Sequence, residues 1–420
     1  MAARAPHHGS KKLVPSNSSL SPRALISLLC AISLYFCFSL FRRDAPPPPP
    51  LFHPAVASGS CNYSEGRWIY NQSIRSPPRY DHTCKEIFKG WNCIAGNKSN
   101  AVDILRWRWK PRGCDLPPFD PWRFLEQFRD TSIVSAEVKK WRPAGADRGF
   151  TFLKYNLTIA YHRTNLLARY GRWSGGTSGI LESLGYKDGY RIDVDIPDGS
   201  WAAAPHFHDV LIFNTGHWWW APSKFDPVKT PMLFFEKGVP VTPPLTPNAG
   251  LDMVLRHMVS FVEKNARKNA ILFFRTQSPR HFEGGNWDEG GSCPRVQPLA
   301  PREQWDVPDA KILIYISHCL RKSKQELTFH CFQVEHLFSI KNNGTNVETR
   351  LVNEHLYRAL EGSKFQILEI TRMSEFRADA HPSAAGGKRH DDCMHWCLPG
   401  LTDTWNDLFI AHLNSIKVRN

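Results

Sequence analysis

Asp392 and His395 stand three residues apart near the end of the chain, in a segment that also holds Cys393 and Cys397. In a helical turn or tight loop, this spacing brings a carboxylate beside an imidazole ring. The carboxylate then keeps one ring nitrogen protonated while the other nitrogen faces a reacting group. Such a pair serves acyl transfer through a nucleophilic hydroxyl. We therefore predict that His395 is a general base and that Asp392 orients it.

The same segment contains residue types that bind metals. These are His390, Asp392, Cys393, His395 and Cys397. Their spacing matches none of the usual zinc modules, and cysteines of an oxidising compartment form disulfides instead. We therefore predict no metal here and keep a zinc site as the alternative.

Apolar runs of strand length alternate with helical patterns in the second half of the chain. Residues 209–213, 270–274 and 365–370 are predicted strands, and residues 247–266 form a predicted amphipathic helix with Asn248 as a candidate cap. A last helix is marked by Trp405, Leu408, Phe409, His412 and Ile416. This alternation predicts an α/β fold with a parallel sheet covered by helices on both faces.

Ligands of such folds bind at the carboxyl ends of the strands. Asn214 and Gly216 follow the first of these strands, where an amide side chain and backbone N–H groups could form an oxyanion hole. An ordinary turn is the alternative, because Asn and Gly are turn residues. Arg275 and His281 follow the second strand; we interpret them as substrate-binding residues, with structural hydrogen bonding as the alternative.

The first 60 residues predict a membrane anchor. Residues 24–41 are an uncharged, mostly apolar run of the length of a short transmembrane helix, between a polar tail (1–23) and a proline-rich stem (42–60). Nine of the 11 cysteines and five N-x-[ST] sequons follow this run. We predict a single-pass type II protein whose C-terminal part lies in the secretory lumen.

The net charge of the chain indicates which classes of binding partner it suits. The net charge of +14 suits an acidic polysaccharide, an anionic membrane or a nucleic acid. No recognisable nucleic-acid-binding module is present, so we predict no nucleic acid partner.

The cysteines predict two regions. Residues 61–115 form a small module with few apolar runs, which needs disulfides to hold its shape. The disulfide candidates of the luminal part are Cys61, Cys84, Cys93, Cys114, Cys293, Cys393 and Cys397. Residues 116–420 form the predicted catalytic domain.

Four segments together resemble the plant trichome birefringence-like family, whose members are Golgi O-acetyltransferases of cell-wall polysaccharides. The segments are residues 107–117, 214–219, 274–276 and 392–400. The resemblance extends from Cys61 to the C-terminus. It implies an SGNH/GDSL-hydrolase-like fold behind a cysteine-rich module, and a Ser-His-Asp triad with His395 as base and Asp392 as its orienter.

The resemblance also implies a biological setting. The chain would lie in the Golgi membrane and bind no cofactor. It would transfer acetyl groups from acetyl-CoA or a derived donor to hydroxyls of xylan or pectin. Other acetylation proteins of the Golgi are expected partners.

Two features depart from the family pattern. The family serine lies in a G-D-S block, and no G-D-S occurs in this chain; the family pattern breaks between Ile133 and Val134. Ser132 and Ser135 lie near this gap without the glycine-bearing turn that exposes a nucleophile.

Residues 305–333 look inserted and bring Cys319 and Cys331, without which the luminal cysteines number seven. We hypothesise one skipped exon and one retained intron. A catalytically inactive luminal variant that binds polysaccharide or partner enzymes is therefore the alternative function.

Overall fold

The computed structural model describes residues 61–72, 79–129, 137–176, 179–221, 224–285, 287, 289–299 and 345–416. The predicted tail, transmembrane segment, stem, gap after 133 and insertion 305–333 lie outside these residues. Within the described ranges, none of the helices has both the length and the apolar character needed to cross a bilayer.

The described chain contains runs of strands separated by helices. The strands are β1 (Gly66–Tyr70), β2 (Trp107–Pro111), β3 (Val138–Trp141), β4 (Arg148–Phe152), β5 (Leu157–Tyr161), β6 (Ala168–Ser174), β7 (Asp188–Pro197), β8 (Val210–Phe213), β9 (Met232–Glu236), β10 (Val239–Pro240), β11 (Ile271–Arg275) and β12 (Gln366–Leu368). The helices are α1 (Ala101–Ile104), α2 (Pro121–Glu126), α3 (Ile180–Ser183), α4 (Ala204–Phe207), α5 (Pro247–Asn265), α6 (Thr345–Leu360), α7 (Thr371–Glu375) and α8 (Leu401–Ser415).

The three strands predicted from apolar runs form one parallel sheet. Its order is β12-β11-β8, with Phe273 of β11 opposite Ile212 of β8 and Gln366 of β12. The prediction of a parallel sheet is correct for these strands. It is incomplete for the whole fold, because β10-β9-β7-β6 is a mixed sheet, and β1-β2 and β3-β4-β5 are antiparallel. Antiparallel strands can be joined by a tight turn, without a helix between them. The sequence therefore shows no alternation of strand and helix there from which these strands could be predicted.

Strand β11 is buried on both faces, as central parallel strands are. Leu272 and Phe274 face the core that α5 and α6 complete, while Phe273 faces the core that α8 completes. Side chains alternate along a strand with a period of two, so neighbouring residues serve opposite layers. The predicted helical cover on both faces is present.

The N-cap of helix α5 precedes the residue that was predicted for it. Thr246, and not Asn248, is the N-cap, and its hydroxyl accepts a hydrogen bond from the backbone N–H of Ala249 (3.4 Å). Pro247 occupies the first helical position, where no backbone N–H is needed. The prediction of Asn248 as cap is therefore wrong by two residues.

The cysteine-rich region shares a core with the rest of the protein. Trp68, Ile104 and Trp109 pack in the same cluster as Phe273 and Leu408. The indole N–H of Trp68 also donates to the backbone oxygen of Met373 (2.8 Å). Residues 61–115 are therefore structurally continuous with the larger part of the fold.

Three disulfides form among the described residues: Cys61–Cys114, Cys93–Cys397 and Cys293–Cys393. Only the first closes within residues 61–115. Cys84, which we predicted to be a disulfide cysteine, has no disulfide partner in the described part of the chain. It is the odd member of the seven cysteines counted from the sequence.

Candidate active site

The loop that carries Asp392 and His395 is fixed by two disulfides. Cys393, between the two residues, is bound to Cys293, and Cys397 is bound to Cys93. A short antiparallel bridge supports the loop on its N-terminal side, where the backbone N–H of Asp392 donates to the oxygen of Ser383 (3.1 Å). Little conformational freedom is left for the two side chains between these anchors.

Within this loop, Asp392 holds the imidazole of His395 in one orientation. Nδ1 of His395 lies 3.0 Å from Oδ1 and 3.1 Å from Oδ2 of Asp392. The backbone N–H of His395 also donates to Oδ1 (3.0 Å). A carboxylate accepts, so the proton of neutral His395 sits on Nδ1, and Nε2 carries the lone pair that a general base needs.

Asp392 stays ionised in this position. Burial alone would raise the pKa of Asp392, but the hydrogen bonds and charge of His395 outweigh it and hold that pKa well below its usual range. Nζ of Lys388 adds a further hydrogen bond to Oδ2 (3.0 Å). The side chain of Asp392 is 18% exposed and that of His395 is 51% exposed. The acid is therefore sheltered, and the base opens to solvent.

Trp91 supports His395 from the cysteine-rich region. The two rings are stacked, with centroids 4.7 Å apart and 26° between their planes. Nε2 of His395 makes no hydrogen bond with any residue that the structure describes. The base is thus held on one face and by one nitrogen, while its second nitrogen is available to a reacting hydroxyl.

His281 lies behind this loop and not on a surface that a substrate could reach. It is 0% exposed, with Nδ1 2.6 Å from Nε2 of His381 and Nε2 3.0 Å from the backbone oxygen of Glu375. Nδ1 of His381 in turn donates to the backbone oxygen of His395 (2.6 Å). This position favours the alternative for His281, structural hydrogen bonding that supports the loop from inside. The substrate-binding role of His281 stays a prediction.

Asn214 and Gly216 lie in the loop after β8. Asn214 is exposed, and Gly216 has φ +152°. This φ favours glycine, and a Cβ atom on Gly216 would also clash with the amide of Gln277. The predicted oxyanion role of this loop stays a prediction.

His217 follows Gly216 and is uncharged. The amide Nε2 of Gln277 donates to Nδ1 of His217 (3.0 Å), which places the ring proton on Nε2. Burial lowers the pKa of His217 well below its ordinary value, and the charges of Arg280, Arg275 and His395 lower it further. These charges place His217 near both the base and the end of β11. A neutral imidazole there offers one N–H donor.

Arg275, at the end of β11, is partly buried above an indole. Its Cζ atom lies 5.1 Å from the centroid of the Trp405 ring. Its Nε atom is out of contact with solvent and makes no hydrogen bond. The predicted substrate-binding role of Arg275 is compatible with this position.

The two cysteines considered as zinc ligands form disulfides. Cys393 and Cys397 are both disulfide-bonded, so neither offers the thiolate that zinc requires. Asp391 lies beside the Cys293–Cys393 bridge, where its carboxylate accepts from the backbone N–H of Cys293 (3.1 Å) and the hydroxyl of Ser383 (2.9 Å). Both of these contacts are structural.

Several residues of the site were not predicted from the sequence. They are Trp91, His217, Gln277, His381 and Lys388. His217 was within reach, because it directly follows the glycine of a segment that we had singled out. Trp91 and His381 carry no local signal, because they reach His395 only through long-range packing.

Comparison with known proteins agrees with this geometry. Residues 131–412 match PC-Esterase, described as a GDSL/SGNH-like acyl-esterase family found in Pmr5 and Cas1p, and residues 59–115 match the PMR5 N-terminal domain. The family's GDSL/SGNH-like character fits the α/β fold and the base-and-acid pair.

Similar proteins from Arabidopsis thaliana cover most of the chain. Protein trichome birefringence-like 13 is 57% identical, over 94% of this chain and 96% of its own length. Protein trichome birefringence-like 12 is 36% identical over 94% and 93%, and xyloglucan O-acetyltransferase 2 is 27% identical over 87% and 85%. This chain belongs to the trichome birefringence-like group of the PC-esterase family.

Proposed function

We propose that this protein transfers acetyl groups to hydroxyls of a cell-wall polysaccharide. The observation that carries the proposal is the Asp392–His395 pair, which is held between two disulfides with Nε2 of His395 available. A relative whose name is xyloglucan O-acetyltransferase supports the reaction class. The acetyl donor is a substrate of this reaction, either acetyl-CoA or a derived donor.

In the proposed reaction, Nε2 of His395 accepts the proton of the attacking hydroxyl. The new imidazolium is stabilised by the ionised Asp392, whose carboxylate lies on Nδ1. The proton then passes to the leaving group of the acetyl donor. The Nε2–H of neutral His217 and the backbone N–H groups near Gly216 are the candidate donors to the oxyanion.

The presence or absence of a nucleophilic serine decides between the two candidate functions. In the double-displacement route, a serine takes the acetyl group before a sugar hydroxyl receives it. The chain has no G-D-S segment, and no described hydroxyl lies at hydrogen-bonding distance from Nε2 of His395. This observation favours the second candidate function, a catalytically inactive protein that binds polysaccharide or partner enzymes.

The site of action is part of the proposal. We propose a Golgi membrane protein of type II topology, anchored by residues 24–41, with xylan or pectin as acceptor. The apolar run and the sequons in the sequence support this setting.

One assay separates the candidates. The purified full-length chain is incubated with labelled acetyl donor and with xylan, pectin or xyloglucan oligosaccharides, alone and as the His395→Ala variant. Label in the oligosaccharide with the native chain but not with the variant supports the transferase. Oligosaccharide binding without any label transfer supports the inactive binding protein. A second chain with a G-D-S strand and turn inserted after Ile133 tests whether the serine route is what was lost.

A further inference from the structure

Arg275 is a sheltered cation that has no counter-ion among the residues the structure describes. Its guanidinium makes no hydrogen bond and no ion pair with any described residue; it lies over the indole of Trp405, and the phenol of Tyr161 is near it. Burial lowers the pKa of Arg275 to about 10, so it remains protonated at neutral pH. A sheltered charge without a partner is costly, so some other gain must account for it.

Two other sheltered arginines of the same protein, Arg350 and Arg377, are paired with acids. Arg377 donates from Nε to Asp379 (2.8 Å), and both side chains are 1% exposed. Arg350 lies 3.2 Å from Glu375. The fold supplies a carboxylate to both of these arginines, and no described carboxylate is paired with Arg275.

Arg275 and His395 flank the same residue. The charges of both lower the pKa of His217, which burial already lowers. A second path of contacts also joins them, because the Trp405 ring beneath Arg275 lies 5.9 Å from the Trp396 ring, and Trp396 is the neighbour of His395 in the chain. We infer that an anion bound by Arg275 would lie on the same side of the fold as His395.

Two acidic side chains near the site accept hydrogen bonds from residues other than Arg275. Asp392 accepts from His395 and Lys388, and Glu369 accepts from Tyr357 and Thr276. Neither is a partner of Arg275. The guanidinium keeps its N–H donors, whose planar arrangement matches a carboxylate.

We propose that Arg275 binds the carboxylate of a uronate residue of the acceptor, so that this site takes an acidic polysaccharide. The inference rests on the proposed function, because it assigns the acceptor of that reaction. Uronates are the sugars that bring a carboxylate next to ring hydroxyls. The exposed phenol of Tyr161 lies near the guanidinium and supplies apolar surface that suits a sugar ring.

Binding measurements test the proposal without any acetyl transfer. The purified full-length chain is titrated with unesterified oligogalacturonate, with its methyl ester and with neutral xylo-oligosaccharide. We expect Arg275→Gln to lose about ten- to a hundredfold in affinity for the unesterified oligomer. We expect no change for the methyl ester. Arg256→Gln, in which an exposed arginine of α5 is replaced, is the matched control and should bind like the native chain.

Two results would overturn the proposal. One is equal affinity of the native chain for the free acid and its methyl ester. The other is an Arg275→Gln variant that binds oligogalacturonate normally but loses affinity for acetyl-CoA, which would assign the arginine to the phosphates of the donor. Binding is measured separately from acetyl transfer. A result that refutes uronate binding therefore does not refute the transferase proposal, and a failure of acetyl transfer does not refute uronate binding.

A stability measurement excludes an internal partner. If Arg275 has no carboxylate partner in the chain, Arg275→Met should unfold at the same temperature as the native chain or higher, because it removes an uncompensated charge. Marked destabilisation would mean that an acid of this chain occupies the site, and the proposal would fail.

Discussion

The indole of Trp91 is stacked on the imidazole of His395, with ring centroids 4.7 Å apart. The contact joins the cysteine-rich region to the proposed base, and the Cys93–Cys397 disulfide lies two residues further along both segments. The region that the sequence predicts as a separate module is therefore part of the site itself. Changes in it should affect His395.

Replacing Trp91 should uncover one face of His395. In Trp91→Leu, we expect modification of His395 by diethyl pyrocarbonate, measured by peptide mass spectrometry, to become severalfold faster, because stacked aromatic pairs contribute about 0.5–1.5 kcal/mol. Trp122→Leu is the control, since Trp122 is 72% exposed. An unchanged rate in Trp91→Leu would show that the stacking does not hold the ring.

The Cys93–Cys397 disulfide should contribute strongly to stability. It joins residues 304 apart in sequence, so it restricts the unfolded chain over a long loop. We expect the Cys93→Ser, Cys397→Ser double variant to lose about 2–4 kcal/mol in the free energy of unfolding, measured with guanidinium chloride. Cys84→Ser should lose nothing measurable, because Cys84 has no disulfide partner among the described residues. A smaller loss in the double variant than in Cys84→Ser would contradict this assignment.

The Arg377–Asp379 pair should be intolerant of a single change. Both side chains are 1% exposed, and Cζ of Arg377 lies 4.5 Å from the centroid of the Trp68 ring. Asp379→Asn leaves a buried guanidinium without its counter-ion and should cost about 3–5 kcal/mol of stability. Asp103→Asn removes the exposed partner of Arg106 and should cost less than about 1 kcal/mol. Equal costs for the two variants would be inconsistent with this difference in burial.

His217 should make stability fall with acid. Its pKa is lowered in the folded protein, chiefly by burial, so the unfolded chain takes up a proton as pH falls through about 6.5, where the folded chain does not. Stability is therefore fully present above that pH and decreases below it, by up to about 1.4 kcal/mol per pH unit for one proton. In His217→Gln, the decrease between pH 7 and pH 5 should be smaller. The exposed control His206→Gln should keep the native slope.

A slope that is the same in His217→Gln and in the native chain would refute the assignment of a neutral, buried His217. Denaturant unfolding at several pH values gives the slope directly. The measurement does not require activity, so it is informative even if the chain lacks a nucleophile.

Local patterns were enough to predict the central strands and the acid-base pair. β8 and β11 are short, uninterrupted apolar runs, of which β11 is buried on both faces, and such runs are visible in a single sequence. The Asp392–His395 contact follows from a three-residue spacing in a constrained loop. Both depend on residues that are close in the chain.

Long-range contacts account for what the sequence did not predict. The sequence left His281 as either a substrate-binding or a structural residue; it is enclosed because His381, 100 residues away, packs against it. Cys93 looked like part of a local disulfide framework, but its partner is Cys397. No periodicity or motif encodes which distant segment will cover a given residue.

The most direct test of the account is the dependence of acetyl transfer on His395. We compare initial rates of label transfer from the acetyl donor to oligogalacturonate, xylan and xyloglucan oligosaccharides, each tested separately, for the native full-length chain, His395→Ala, Asp392→Asn and the exposed control His206→Ala. The account predicts transfer by the native chain and by His206→Ala, with a loss of about 10²-fold or more in each of the other two variants. Transfer at the native rate by His395→Ala, or no transfer by the native chain, would contradict it.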